Sequence, residues 1–170
     1  MDRGTIYNLI LLVCLIIIQV LICNHIHIFN VAVPFVFIYV ILRLPMTLST
    51  NWLLTWAFLS GFIVDLFSDT PGVNSLSCTL LASVKRPILY AYIPRDDRTK
   101  DILPSLANLG FADYAKYLLT MSVIYCFLVF TIEYFNFADV KEVVIMASAS
   151  SVLSFCLILG IDSLMVTKRD

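Results

Sequence analysis

Six apolar runs divide the chain, several of them long enough to cross a bilayer, and they fix the solvent in which it folds. A helix rises about 1.5 Å per residue, so roughly 20 apolar residues cover the roughly 30 Å hydrocarbon layer. Thr5 to Cys23, Tyr114 to Ile132 and Val143 to Val166 meet that length. Ile26 to Tyr92 splits into three further runs, at Arg43-Leu44-Pro45 and at Ser68-Asp69-Thr70-Pro71-Gly72. Hydrophobic residues make up 61% of the chain and mean hydropathy is +0.95, against roughly 45–50% apolar usage in soluble domains. The expected fold is all-α, a polytopic membrane bundle of six transmembrane helices forming one integral membrane domain over residues 1–170.

The same pattern narrows the function classes. The longest polar stretch, Ile93 to Gly110, reads as a loop and leaves no room for a soluble domain. No basic tract is long enough to argue for nucleic acid. Asp2-Arg3-Gly4 is barely basic and no small-x-small cleavage site follows at Cys23-Asn24-His25, so the first run is expected to be a retained helix and not a signal peptide. Cys14, Cys23, Cys78, Cys126 and Cys156 are scattered through apolar runs without a C-x-x-C pair and read as small hydrophobes. His25 and His27 offer two nitrogen ligands with no third nearby, so neither metal nor cofactor is expected. H-E-x-x-H, G-x-S-x-G and a phosphate-cradling glycine loop are all missing from the sequence, and no catalytic residue is assigned.

The second run is the irregular one. Pro34 suits the first turn of a helix, but a helix starting there has only eleven residues to Leu44, too few to span. Either the helix begins near Ile26 and kinks at Pro34, or Ile26 to Ala32 lies in the interface and a short span follows; the kinked helix is the expectation. The third helix is expected over Trp52 to Phe67, and Ser68 to Asn74 is a turn in which Pro71 fixes φ and Gly72 admits positive φ. Ser75 can cap a fourth helix that continues through Pro87 to Tyr92. Asp113 to Tyr134 and Glu142 to Val166 complete the set. With six crossings, Arg3, Arg43, Arg95, Arg98, Lys100, Lys116, Lys168 and Arg169 share one side and only Lys141 faces the other. That bias places both termini in the cytoplasm.

Ionisable groups inside spans cost roughly 2.5–3.5 kcal/mol each and need an explanation. Arg43, Glu133 and Asp162 lie near helix ends and are expected to reach the interface. Lys85 and Arg86 lie about two turns from the end of their helix and point about 100° apart, so at least one should face protein or water. Either both snorkel to the interface, or one pairs with an acid such as Asp162, at a similar depth, inside the bundle or against a partner protein. Asp65 sits in the last turn of the third helix, against the negative end of the dipole. Its carboxylate is expected to accept hydrogen bonds from the turn that follows, with Gly61, Ser68, Asp69, Pro71 and Gly72 completing one structural unit. Ala57-x-x-x-Gly61, Ala147-x-x-x-Ser151 and Ser150-x-x-x-Ser154 are small-residue faces that let helix backbones touch, and are the expected contacts for an embedded partner.

The segment from Gly61 through Asp65-Leu66, Ser68, Asp69, Pro71-Gly72 and Asn74 to Leu76 resembles the signature of the rod shape-determining protein MreD family. Phe37 to Pro45 is similar to the end of that family's second helix. Asp69 stands where the family usually has Gly and Pro71 where Leu is common, and Lys85-Arg86-Pro87 is not a family feature. The resemblance implies a non-enzymatic scaffold of the bacterial elongation complex in the cytoplasmic (inner) membrane. Its implied partners are the bitopic protein MreC, the actin-like MreB filament, the synthase pair that builds peptidoglycan, and membrane lipids. It also implies a distant likeness to the substrate-binding subunits of energy-coupling-factor transporters, which does not carry function by itself. The alternative is a small-molecule or lipid carrier with a polar cavity lined by Asp65, Asn74, Ser75 and Ser77.

Overall fold

The computed structural model describes residues 3–21, 33–93, 104–134 and 140–167. His25, His27, the stretch from Ile26 to Ala32, the loop charges Arg95, Arg98 and Lys100, and the tail from Lys168 lie outside the described residues.

The described chain is all-helical: α1 (Arg3–Leu21), α2 (Ile38–Arg43), α3 (Thr50–Ser68), α4 (Val73–Tyr92), α5 (Leu106–Leu109), α6 (Phe111–Glu133) and α7 (Val140–Thr167). By length and composition, three helices can cross a membrane: α3, α6 and the Val140–Leu164 portion of α7. Ile10–Val20 of α1 is apolar but shorter. α3 packs on α4, α4 on α6, and α6 on α7, with α1 against α3. Their outward faces are apolar, with Ile17, Phe58, Leu66, Val152 and Leu164 among the exposed side chains, as a lipid solvent requires.

The described part of the polar stretch expected to be a loop includes a short helix, α5. Its backbone has a specific partner in α7, described below, that no local pattern announces.

The second run departs most from expectation. No helix passes through Pro34: Val33 to Val36 are irregular, Phe37 turns, and α2 is only six residues long. Proline has no N–H and biases the residue before it away from helical angles. The irregular backbone is stable because side chains supply what a helix would have supplied. Ser150 Oγ accepts from Val33 N–H at 3.0 Å, and Ser154 Oγ from Phe35 N–H at 2.8 Å. Gln19 is used twice: its Oε1 accepts from Val36 N–H at 2.8 Å and its Nε2 donates to Pro34 O at 2.9 Å. Tyr39 and Val40 then close the first turns onto Val36 and Phe37 carbonyls.

This segment fills the centre of the bundle. Phe35 to Leu42 are buried without a break. The rings of Phe35 and Phe37 meet Tyr125 of α6 edge-on, at 5.2 and 5.9 Å between centroids, a favoured aromatic geometry. Val33 and Phe35 meet Ser150 and Ser154, and Tyr39 meets Asp162 further along, so the segment runs parallel to α7.

Neighbouring serines on α7 separate the two roles a small residue can have. Ser154 supports foreign backbone, whereas Ser151, also buried, only returns a bond to Ser148 O within its own helix. Ser154→Ala strands a buried N–H and should cost about 1–3 kcal/mol, while Ser151→Ala should cost under about 0.5 kcal/mol. Thermal unfolding of the two purified variants in one detergent reads the difference, and equal midpoints would contradict it.

Candidate functional site

Two polar clusters tie the bundle at its two ends. The first is built on Asp65, in the last turn of α3. α3 ends at Ser68; Asp69 adopts the left-handed conformation at φ 52°, and Gly72 does so at φ 87° just before α4 begins. This tight reversal brings the start of α4 back over the Asp65 carboxylate. Oδ1 accepts from Thr70 Oγ1 at 3.1 Å, Asn74 N–H at 2.9 Å and Asn74 Nδ2 at 3.0 Å. Oδ2 accepts from Ser75 N–H at 2.8 Å and Ser75 Oγ at 2.5 Å.

Asp65 therefore caps α4. The first N–H groups of a helix lack internal partners, and the positive end of the dipole favours an anion there. Ser75 was the expected cap; its hydroxyl instead donates to the acid that does the capping. Asn74 Oδ1 accepts from Tyr125 OH at 2.7 Å, which carries the cluster across to α6. The expected turn unit is present, and Gly61 belongs to it for a steric reason. A Cβ on Gly61 would stand 2.5 Å from Asn74 O and 2.7 Å from Ser75 Cα, so only glycine lets the two helices close around Asp65.

The second cluster lies about 16 Å further along α4, by helix rise from Asn74 to Lys85. Lys85 is fully buried, and its Nζ donates to Ile41 O at 2.9 Å and Leu44 O at 2.6 Å, the carbonyl end of α2. Arg86 holds the next loop: Nη1 donates to Thr50 Oγ1 at 2.8 Å, and Nη2 to the carbonyls of Met46 and Leu48. Two adjacent basic residues thus clamp the reversal between α2 and α3.

The expected pairing of either residue with Asp162 is therefore wrong, because both basic heads are taken up by backbone carbonyls. Asp162 pairs with Arg43 instead, Nη1 to Oδ1 at 3.8 Å. Tyr39 OH bridges them, donating to Asp162 Oδ1 at 2.5 Å and accepting from Arg43 Nη1 at 2.5 Å. Asp162 Oδ2 accepts from Leu106 N–H at 2.8 Å, which docks α5 on α7. Nor do Arg43 and Asp162 extend to the interface: their side chains are 12% and 1% exposed. A charged pair at a helix end has a cheaper option than snorkelling when a partner stands beside it.

The small residues face inward as well. Ala57, Ser60 and Gly61 are buried on α3, and Ala147, Ser150, Ser151 and Ser154 on α7. They pack helices against each other within the bundle, the packing role their spacing predicts, and are buried there instead of standing on an outer face for a partner. The groups expected to line a carrier's cavity are bonded to each other: Asn74 and Ser75 to Asp65, and Ser77 Oγ to Val73 O at 2.7 Å. Beside them lies an open groove of about 880 Å³ between α3 and α4, walled by Phe58, Phe62, Leu66 and Leu76 with Asp69 at its polar end. Among the described residues no group of three or more His, Cys, Asp or Glu could hold a metal ion.

Hydrogen bonding decides the order of two variant pairs. Asp65→Asn keeps one acceptor oxygen and should cost about 1–3 kcal/mol, whereas Asp65→Leu strands several buried donors and should cost about 3–5 kcal/mol. Unfolding in detergent measures both, and equal losses would dismiss the cap. Lys85→Met removes a desolvated cation as well as two bonds, so its effect should be local. Amide exchange at Leu44 and Leu48 should speed up about tenfold, equivalent to about 1.4 kcal/mol of lost protection, and unchanged exchange would dismiss the clamp. In comparisons with known proteins, no family model, no curated protein and no solved structure matches this chain.

Proposed function

We propose that this chain is a non-enzymatic scaffold of the bacterial cell-wall elongation complex, of the kind represented by the MreD family. The observation that carries the reading is the use made of intramembrane polarity. Asp65, Lys85, Arg86 and Asp162 each bond to backbone of another element, so the charges hold one arrangement of helices. A rigid bundle with apolar outer faces is what a membrane scaffold needs. The resemblance of Gly61 to Leu76 to the family signature gives that rigidity a context, since the same residues form the Asp65 cap.

In this proposal the chain crosses the bacterial cytoplasmic membrane six times, by α1, the 33–43 segment, α3, α4, α6 and α7. Both termini are cytoplasmic. The parallel course of the 33–43 segment and α7 supports the count, because the second and sixth crossings of such a bundle run the same way. The bias of basic residues supports the orientation. The bitopic partner MreC then docks on an outer helix face other than the buried small-residue faces. The MreB filament or the synthase pair meets the cytoplasmic loop and tail charges, which also attract anionic lipid at about 1 kcal/mol per basic residue. The likeness to energy-coupling-factor subunits stays one of architecture.

Affinity purification of the full chain from gently solubilised membranes tests this. The expected result is recovery of the bitopic partner with the glycosyltransferase–transpeptidase pair. Recovery of transporter ATPase subunits in their place would overturn the scaffold reading in favour of a carrier. A reporter fused after Asp170 should be active only in its cytosolic form, and activity on the other side would remove one crossing from the count.

A further inference from the structure

The groove beside the Asp65 cap has a polarity that selects its occupant. Phe58 and Phe62 stack at 6.1 Å and 12° between ring planes to make a flat wall, continued by Leu66 and faced by Leu76. All four are well exposed, so the wall is open to hydrocarbon. From Phe58 to Asp69 is eleven residues of α3, about 16 Å by helix rise and close to one leaflet of a roughly 30 Å hydrocarbon layer. The groove's volume of about 880 Å³ falls within the roughly 300–1,000 Å³ range of ligand pockets.

Its charged end is wholly acidic. The lining includes the carboxylates of Asp65 and Asp69 and no basic side chain. Asp65 is bonded into the α4 cap, and the groups it accepts from, on Thr70, Asn74 and Ser75, are all uncharged. Asp69 is exposed at the mouth. A headgroup seated there must bring positive charge, and one with N–H donors gains charge-assisted hydrogen bonds to a carboxylate that a quaternary ammonium cannot make. A transmembrane helix fits less well, because it would continue past Phe58 through the other leaflet.

We propose that this groove seats one phospholipid whose headgroup carries a primary ammonium group, with the ammonium at Asp69 and an acyl chain along Phe58, Phe62 and Leu66. The lipid then covers the α3–α4 seam beside the Asp65 cap. The proposal does not rest on the scaffold reading, and its test does not use the elongation complex.

The delipidated full chain in detergent is titrated with phosphatidylethanolamine, phosphatidylcholine or phosphatidylglycerol of identical chains, and bound lipid is counted by native mass spectrometry. Phosphatidylethanolamine should be retained about three- to fivefold more than either of the others, the scale of a solvent-facing ion pair. Asp69→Asn should remove the preference with the unfolding midpoint unchanged, since Asn tolerates the left-handed backbone at this position. In parallel, a photoreactive phenylalanine at position 62 should give lipid-sized adducts in native membranes. Equal retention of the three lipids, or a preference that survives Asp69→Asn, would overturn the proposal. A protein-sized adduct from position 62 would overturn it too, and would assign the groove to a partner helix.

Discussion

Everything in this bundle depends on how the backbone around Pro34 is kept hydrogen-bonded. Hydrocarbon offers no donors or acceptors, so a stretch of irregular chain at membrane depth survives only where protein supplies them. Here Gln19, Ser150 and Ser154 act as substitutes for a helical turn, holding Val33, Pro34, Phe35 and Val36 in place. Once that is done, the aromatic and aliphatic side chains of Phe35 to Leu42 can occupy the centre, with α1, α3, α4, α6 and α7 packed against them. The same constraint explains why α2 can be short. A short, broken helical segment is tolerated because it is buried among the other helices.

The two polar clusters apply the same chemistry at either end. At one end a carboxylate receives the orphan donors that open α4; at the other, an ammonium and a guanidinium receive the orphan carbonyls that close α2 and the reversal after it. Asp65 matches the positive end of α4, and Lys85 the carbonyl end of α2. Charges that a bulk reading would count as penalties are thus the fixed points of the fold, and each joins elements that are separate in sequence. The Tyr39–Asp162 bond does so across α2 and α7 while the same carboxylate holds α5. The outer faces between the helix ends are largely apolar, and the exposed charges of α6 and α7, Asp113, Lys116, Glu133, Lys141 and Glu142, lie near the ends of those helices.

Local physics was legible in the sequence, and long-range partnership was not. The helices α1, α3, α6 and α7 follow from apolar length, and the Asp65 cap from an acid at a helix end followed by Thr70, Asn74 and Ser75 within ten residues. The anomaly at Pro34 was visible as a span too short to cross, but its resolution needed Ser150 and Ser154, more than a hundred residues away. Spacing alone showed those serines as small; it had no means of showing them as acceptors. Lys85 stands out in the sequence as a charge in need of a partner, but backbone carbonyls such as those of Ile41 and Leu44 carry no residue-specific signal, whereas an acid such as Asp162 does. The short helix α5 was hidden for a similar reason, since its anchor on Asp162 is made by a backbone N–H that any residue at position 106 would have.

The supports of the 33–43 segment have a consequence for how the protein is made. Among the described residues, two of its backbone donors, at Val33 and Phe35, are bonded by serines of α7, which leaves the ribosome after all the other described helices. Until α7 arrives, those donors must keep water or a foreign partner, because each unsatisfied group in hydrocarbon costs several kcal/mol. The segment therefore completes its passage into the bundle late, although it is synthesised early. Synthesis order and assembly order differ here, and the nascent bundle stays open along one side until its last helix closes it.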